Sequence, residues 1–301
     1  MACNYFLYCW VPGRSVDSVS QSNKGDSIKL VSWWSAGVTS AVATSIALDT
    51  YGHNNIDIYY CDTGKVHPDN ERFIEECEEW YQKKIHIVKS EKYADPFDVA
   101  RKTRYISGPA GARCTGELKK EPRYKVEREN NYTGSIFGFE FTPKEINRAI
   151  RFKEQNPNPS PVFPLIDKKI DKPNALYILE KIAKIKRPAM YDLGYQNNNC
   201  IGCLKADSMS YWNKIRVDFP AIFNEMAEIE RDIGASIIRR KKKGDTKKSR
   251  LYLDELDPEA GRGTPPIVPA CGVVCQVEFE EIEDGRTREI SLGRMNMAEV
   301  K

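Results

Sequence analysis

The chain has 301 residues, of which 41% are apolar and 30% charged, and its formal net charge is +3. That length and apolar content can bury a substantial core, which excludes a wholly disordered protein. The small net charge does not by itself name a polyanion as partner, and no run reaches the roughly eighteen apolar residues of a membrane span.

Met1–Trp10 is short and aromatic, with no basic stretch and no small-residue cleavage pattern after it. No signal peptide is expected, and the protein reads as cytoplasmic. Residues 11–27, rich in Ser, Gly, Asp and Asn, read as a flexible arm. Ser27–Trp33 reads as a buried strand and Val38–Thr50 as a helix of Ala, Val, Ile and Leu. Ile56–Cys61 is a second strand. Pro68–Lys83 is a helix with Pro68 in its first turn, and Phe73, Ile74, Cys77 and Tyr81 form its apolar stripe. Ile85–Val88 is a third strand. The strands are too continuously apolar to be half exposed, so strand and helix alternate as in a parallel sheet with helices on both faces.

The middle of the chain is less regular. Residues 108–116 read as a loop carrying Arg113 and Cys114. Thr142-Pro143 caps a helix to Phe152. Residues 156–164 hold four prolines and read as a surface loop or linker. Asn174–Lys186 is a helix stopped by Pro188. Ser208–Ile233 is one long helix or two, with Pro220 as the break. Residues 239–250 hold eight Lys or Arg and one Asp. No internal repeat is evident. The chain divides into an arm (1–26), an α/β domain (27–235) and a basic, cysteine-containing C-terminal region (236–301).

Two loops carry the functional signal. Ser35-Ala36-Gly37-Val38-Thr39-Ser40 runs from the first strand into the first helix. Its small residues let backbone amides and hydroxyls surround an anion, phosphate above all, at a helix N-terminus. The alternative is an ordinary capped strand-to-helix turn. The Gly-Lys-Ser/Thr ending of a Walker loop is absent. Cys61-Asp62-Thr63-Gly64-Lys65-Val66-His67-Pro68 closes the second strand. Neighbouring strand ends of a parallel sheet share one crevice, so both loops are expected to face one ligand. Asp62 is a hydrogen-bond acceptor for a base or ribose, a partner for a cation, or a turn acceptor. His67 is a phosphate contact or a turn residue.

At these loops the chain resembles the adenine-nucleotide alpha-hydrolase group, and within it the phosphoadenosine-phosphosulfate (PAPS) reductase-like branch, which includes phage-borne members. Ser35–Ser40 is similar to its Ser-Gly-Gly-x-Asp-Ser loop, with Ala36 in place of a glycine and Thr39 in place of the aspartate. Asp62–Pro68 is similar to its Asp-Thr-Gly-x-x-x-Pro segment. The resemblance implies a doubly wound, mostly parallel Rossmann-like sheet. It also implies ATP or another adenine nucleotide on Ser35, Ala36, Gly37, Val38, Thr39, Ser40, Asp62, Thr63, Gly64 and His67, with magnesium as companion ion. A phage-borne member would work in the host cytoplasm.

Nine cysteines in a reducing compartment read as ligands, nucleophiles or core residues. Cys200-Ile-Gly-Cys203 has the spacing of a metal pair or a redox dithiol. Cys271 and Cys275 form a second pair, and Cys114 sits among Arg113, Lys119 and Lys120. Cys61 and Cys77 look like core residues. Iron–sulfur adenylylsulfate reductases carry cysteines in a similar order. That resemblance implies a [4Fe-4S] cluster, or zinc, on Cys114, Cys200, Cys203 and Cys275. It also implies an attacking thiol at Cys271, with Arg113 and Asp62 as further catalytic groups and a thiol reductant as partner. Val273-Val274-Cys275 stands where those enzymes have an apolar residue and His.

The expected function is thus a PAPS reductase-like, adenine-nucleotide-binding iron–sulfur enzyme. It would be an oxidoreductase acting in sulfonucleotide reduction, or a sulfur or adenylyl transferase that activates an acceptor with ATP. It is expected to form a homo-oligomer and to have no membrane partner. One alternative is a nucleic-acid modification component binding DNA or RNA through residues 239–250. Another is a non-catalytic nucleotide-binding module with a structural metal.

Overall fold

The computed structural model describes residues 28–108, 111–240, 249–266, 278–281 and 287–290. Five strands form one parallel sheet: β1 (Leu30–Trp34), β2 (Ile56–Cys61), β3 (Ile85–Val88), β4 (Gly134–Ile136) and β5 (Ser160–Val162). Their order is β3-β2-β1-β4-β5. The expected parallel α/β sheet is therefore present. β1 lies at its centre, and all five of its residues are buried.

Alternation along β1 feeds two cores. Leu30 and Trp34 pack with α1 (Val38–Tyr51), α2 (Asn70–Tyr81), α6 (Pro164–Asp167) and α7 (Lys172–Tyr177). Val31 and Trp33 pack on the opposite face with α4 (Glu121–Glu129) and α5 (Pro143–Gln155). A π-helical turn, Gly116–Lys120, leads into α4, and another, Ile178–Ile182, continues α7. A strand buried on both sides has no polar face to show, which is why β1 reads as a continuous apolar run.

A third core lies beyond the sheet. It joins α3 (Pro96–Thr103), α8 (Ala189–Asp192), α9 (Met209–Asp218) and α10 (Pro220–Ile233), with Ile237, Ile238, Leu253 and Leu256 completing it. The region 208–233 is two helices. Pro220 has no amide hydrogen to donate, and Phe219 before it leaves the helical region at φ −141° and ψ 64°. β6 (Ile238–Arg240) pairs antiparallel with β7 (Ser249–Leu251), and β8 (Glu278–Glu281) with β9 (Thr287–Ile290). Among the described residues no helix is long and apolar enough to cross a membrane.

The proline-rich stretch 156–164 is more than a linker, because Ser160–Val162 is the edge strand β5. Pro161 cannot donate to a ladder, and an edge position tolerates it.

Glu230 ties α10 to the segments after it. It is fully buried, and its two oxygens accept from the amides of Ile237 and Leu253, each at 2.6 Å. Burial pushes its carboxyl up to about 7, against the opposing effect of those amides. In the unfolded chain a glutamate titrates near ~4.3. Between these values the native state holds a proton that the unfolded chain has released. The stability linked to that proton is complete below the unfolded value and is lost as the pH rises through the folded one. Thermal midpoints of the wild type and Glu230→Gln, followed from about pH 5 to about pH 8, test this linkage. The wild type loses ground to the variant as the pH rises, whereas parallel curves would contradict the assignment.

Candidate functional site

The strand order reverses between β1 and β4, and a doubly wound sheet binds its ligands in the crevice at such a point, outside the carboxyl ends of the strands. A cleft of about 670 Å³ lies there. Ser35, Thr39 and Thr63 border it from the first two strand ends, and Gly138 and Glu140 from the loop after β4. Its volume falls within the range of small-ligand and cofactor sites, ~300–1,000 Å³.

The turn from β1 to α1 is closed by one side chain. Ser40 Oγ accepts from the amides of Ser35 (3.1 Å) and Gly37 (3.3 Å) and from the Ser35 hydroxyl (3.0 Å), and it donates to the Gly37 carbonyl (2.9 Å). The Ser40 hydroxyl therefore faces inward and orders the loop. Ala36 is buried with φ +55°, a left-handed conformation that favours glycine and is held here by the surrounding turn. What meets the cleft is the positive end of α1, bordered by Gly37 and Thr39.

The opposite wall comes from the loop after β4 and from α5 and α7. Lys144, Arg148 and Lys172 border the cleft here, and Lys119 enters from the turn before α4. Arg148 pairs with Glu145 at 3.0 Å, and its guanidinium lies 4.4 Å from the centre of the Phe139 ring. Lys172 donates to Asn197 Oδ1 at 2.7 Å and to the Gln196 carbonyl. Burial raises the carboxyl pKa of Glu140 and lowers the ammonium pKa of Lys172, and the attraction between their charges opposes both shifts.

Residues 196–200 cross the loops after β1 and β2 as a strap. Asn198 Nδ2 donates to the Ala36 carbonyl (2.7 Å) and to Asn70 Oδ1 (2.8 Å), and the Ile201 amide donates to the Lys65 carbonyl (2.8 Å). The strap thereby fixes the spacing of the β1 and β2 loops.

The residues expected from the sequence separate into two groups. Ser35, Gly37, Thr39, Ser40, Thr63 and Cys200 border the cleft. Ala36 and Val38 lie behind it, buried in the core of α1. Asp62 turns away: Oδ1 accepts from the Gly64 amide (2.9 Å), and Oδ2 pairs with Lys89 (2.8 Å). Gly64, at φ +78°, packs so closely on the Ala94 carbonyl that any Cβ would overlap it. His67 Nδ1 accepts from the Asp69 amide (3.1 Å), and its ring packs near Phe219. Arg113 is buried and paired with Glu117 at 3.0 Å. The sequence reading missed Glu140, Lys144, Arg148 and Lys172 as cleft residues. A charged residue between aromatics, as in Phe139-Glu140-Phe141, was the signal available at the first of them.

The cysteine expectations need correction. Among the described residues no group of three or more His, Cys, Asp or Glu side chains is arranged to hold a metal ion. Cys200 Sγ lies 3.0 Å from the Thr63 hydroxyl. Cys203 is packed in the apolar third core, and Cys114 lies against that core. Each thiol thus has an environment of the folded protein, and the described residues offer neither a [4Fe-4S] cluster nor zinc a ligand set. Cys271 and Cys275 lie outside the described residues. The iron–sulfur, metal-binding sulfonucleotide enzyme expected from the sequence, and the module with a structural metal, do not stand. The core reading of Cys61 and Cys77 agrees with their burial, which pushes each thiol up to about 12.

No protein-family model matches this chain, and no curated protein matches it in sequence. Among solved structures it is similar to phosphoadenylyl-sulfate (PAPS) reductase from Candida auris in its phosphate complex, with a TM-score of 0.40 and 18% identity over 56% of this chain and 80% of that one. The likeness is distant and one of fold. Strand order and register place the cleft without it.

Gly138 is where the two walls touch. A Cβ there would lie 2.6 Å from both the nitrogen and the Cα of Ser40. Gly138→Ala forces backbone apart at the cleft and is expected to cost ~1–3 kcal/mol. Gly116→Ala is the control, because its added Cβ meets nothing within 4 Å. Urea unfolding of both variants checks the contact: the midpoint falls for Gly138→Ala and holds for Gly116→Ala, and equal midpoints would contradict it.

Proposed function

We propose that the cleft binds a nucleotide, with its phosphates at the N-terminal end of α1 and its sugar and base toward the loop after β4 and the 196–200 strap. The observation that carries this reading is the position of the cleft. It lies at the point where strand order reverses, with a helix N-terminus on one side and Lys119, Lys144, Arg148 and Lys172 around it. A helix N-terminus offers amide hydrogens and a partial positive charge to an anion, and the cations add to that field. Aromatic side chains, among them Phe137, Phe139 and Tyr195, give the wall an apolar surface suited to a base. The similarity of the Ser35–Ser40 and Asp62–Pro68 loops to those of adenine-nucleotide proteins adds adenine as the base.

The nucleic-acid reading has less support. Of its basic tract, residues 241–248 lie outside the described residues, and the flanking residues form strands β6 and β7.

Calorimetric titration with ATP, ADP and AMP tests the proposal. The wild type binds ATP more tightly than AMP, because more phosphate charge meets the helix end. Ser35 is exposed at the mouth of the cleft. Ser35→Glu places a negative charge beside the expected phosphates and weakens ATP binding by about tenfold or more. Absence of binding by the wild type, or ATP binding unchanged in Ser35→Glu, would overturn the reading.

A further inference from the structure

Three polar atoms beside the cleft have unused hydrogen-bonding capacity. Glu140 Oε2, Asn198 Oδ1 and Asn199 Nδ2 are buried, and none has a hydrogen-bond partner. All three residues border the cleft. Asn198 spends its own amide hydrogens on Ala36 and Asn70. Leaving a buried acceptor or donor unmatched costs ~1–3 kcal/mol, so the three atoms constitute a standing demand for a partner.

The three atoms are two acceptors and one donor, so the partner must supply two donors and one acceptor. An adenine edge supplies these too, from the two hydrogens of its amino group and a ring nitrogen, so position decides between base and sugar. A vicinal diol presents two hydroxyl donors, and each of its oxygens can also accept. The location agrees. Asn198 Nδ2 donates to the carbonyl of Ala36, in the turn that leads into α1. The unmatched atoms of the strap therefore sit next to the helix end assigned to phosphate, where the sugar of a nucleotide falls.

We propose that Glu140, with Asn198 and Asn199, recognises the 2′,3′-hydroxyl pair of the ribose, so that the site selects ribonucleotides over deoxynucleotides. This rests on the nucleotide reading above. Glu140 is the principal acceptor, since a hydroxyl donating to a carboxylate makes the stronger, charge-assisted bond. Contact with the ribose requires Oε2 to turn toward the cleft, and the terminal torsion of a glutamate is soft.

The test compares ATP, 2′-deoxyATP and 3′-deoxyATP by calorimetry on the wild type, Glu140→Gln and Glu140→Ala. Loss of a hydroxyl weakens binding to the wild type by about tenfold or more, as expected for a bond to a charged acceptor. In the variants ATP weakens to the level of the deoxynucleotides, and the discrimination falls to about twofold or less. ATP and both deoxynucleotides binding the wild type equally would overturn the ribose assignment and leave nucleotide binding intact. Failure of ATP, ADP and AMP to bind the wild type at all would overturn both. Discrimination that persists in folded Glu140 variants would remove Glu140 from the role. If both variants fail to fold, the deoxynucleotide comparison on the wild type still decides the ribose assignment.

Discussion

The hydroxyl of Ser40 holds the turn on which the cleft is built. It accepts two loop amides and the Ser35 hydroxyl, and it donates to the Gly37 carbonyl. The backbone of the same residue is the surface on which Gly138 packs, with no room between for a methyl group. One residue thereby sets the shape of the β1–α1 turn and the distance to the loop after β4. The Asn198 strap supplies the second constraint by tying Ala36 to Asn70. With both in place, the positive end of α1 faces a cleft whose opposite wall is independently fixed.

That opposite wall is anchored beneath the sheet. Glu127 Oε1 accepts from Arg123 Nε (2.8 Å), Ser135 Oγ (3.0 Å) and Trp33 Nε1 (3.1 Å). Arg123 and Glu127 are almost wholly buried, and the Arg123 guanidinium lies 5.3 Å from the centre of the Phe137 ring and 5.5 Å from that of Phe152. The network joins α4 to β1 and β4, the strands between which the order reverses. Breaking one partner of such a pair leaves an uncompensated buried charge, which costs more than the pair contributes when intact. Rigidity of the far wall and burial of this charge pair are thus one property.

The first half of the sheet was readable from sequence because its signals are local. β1 and β2 are apolar runs, and α2 carries a stripe at helical spacing, with Phe73, Cys77 and Tyr81 all buried. β4 and β5 are three residues long, and one contains Pro161, so neither makes a periodic signal. α3 was missed although Asp95-Pro96 is a cap followed by a first-turn proline, and Asp95 does accept the amides of Phe97 and Asp98. The β1–α1 turn and the loop after β2 were singled out by their small residues after a strand, and residues of both border the cleft. Lys172 and Arg148 were not, since their nearness to the cleft depends on how α5 and α7 pack. The cysteines show the opposite error. Spacing such as that of Cys200 and Cys203 states which thiols can meet, while packing decides whether they do.

The central claim is that a nucleotide occupies the crevice between β1 and β4. Amide hydrogen exchange, with and without saturating ATP, tests it most directly because it reports position. The account predicts slower exchange in three separated segments: residues 35–41, residues 137–140 and residues 196–200. Protection absent from these segments, or confined to α9 and α10, would contradict it.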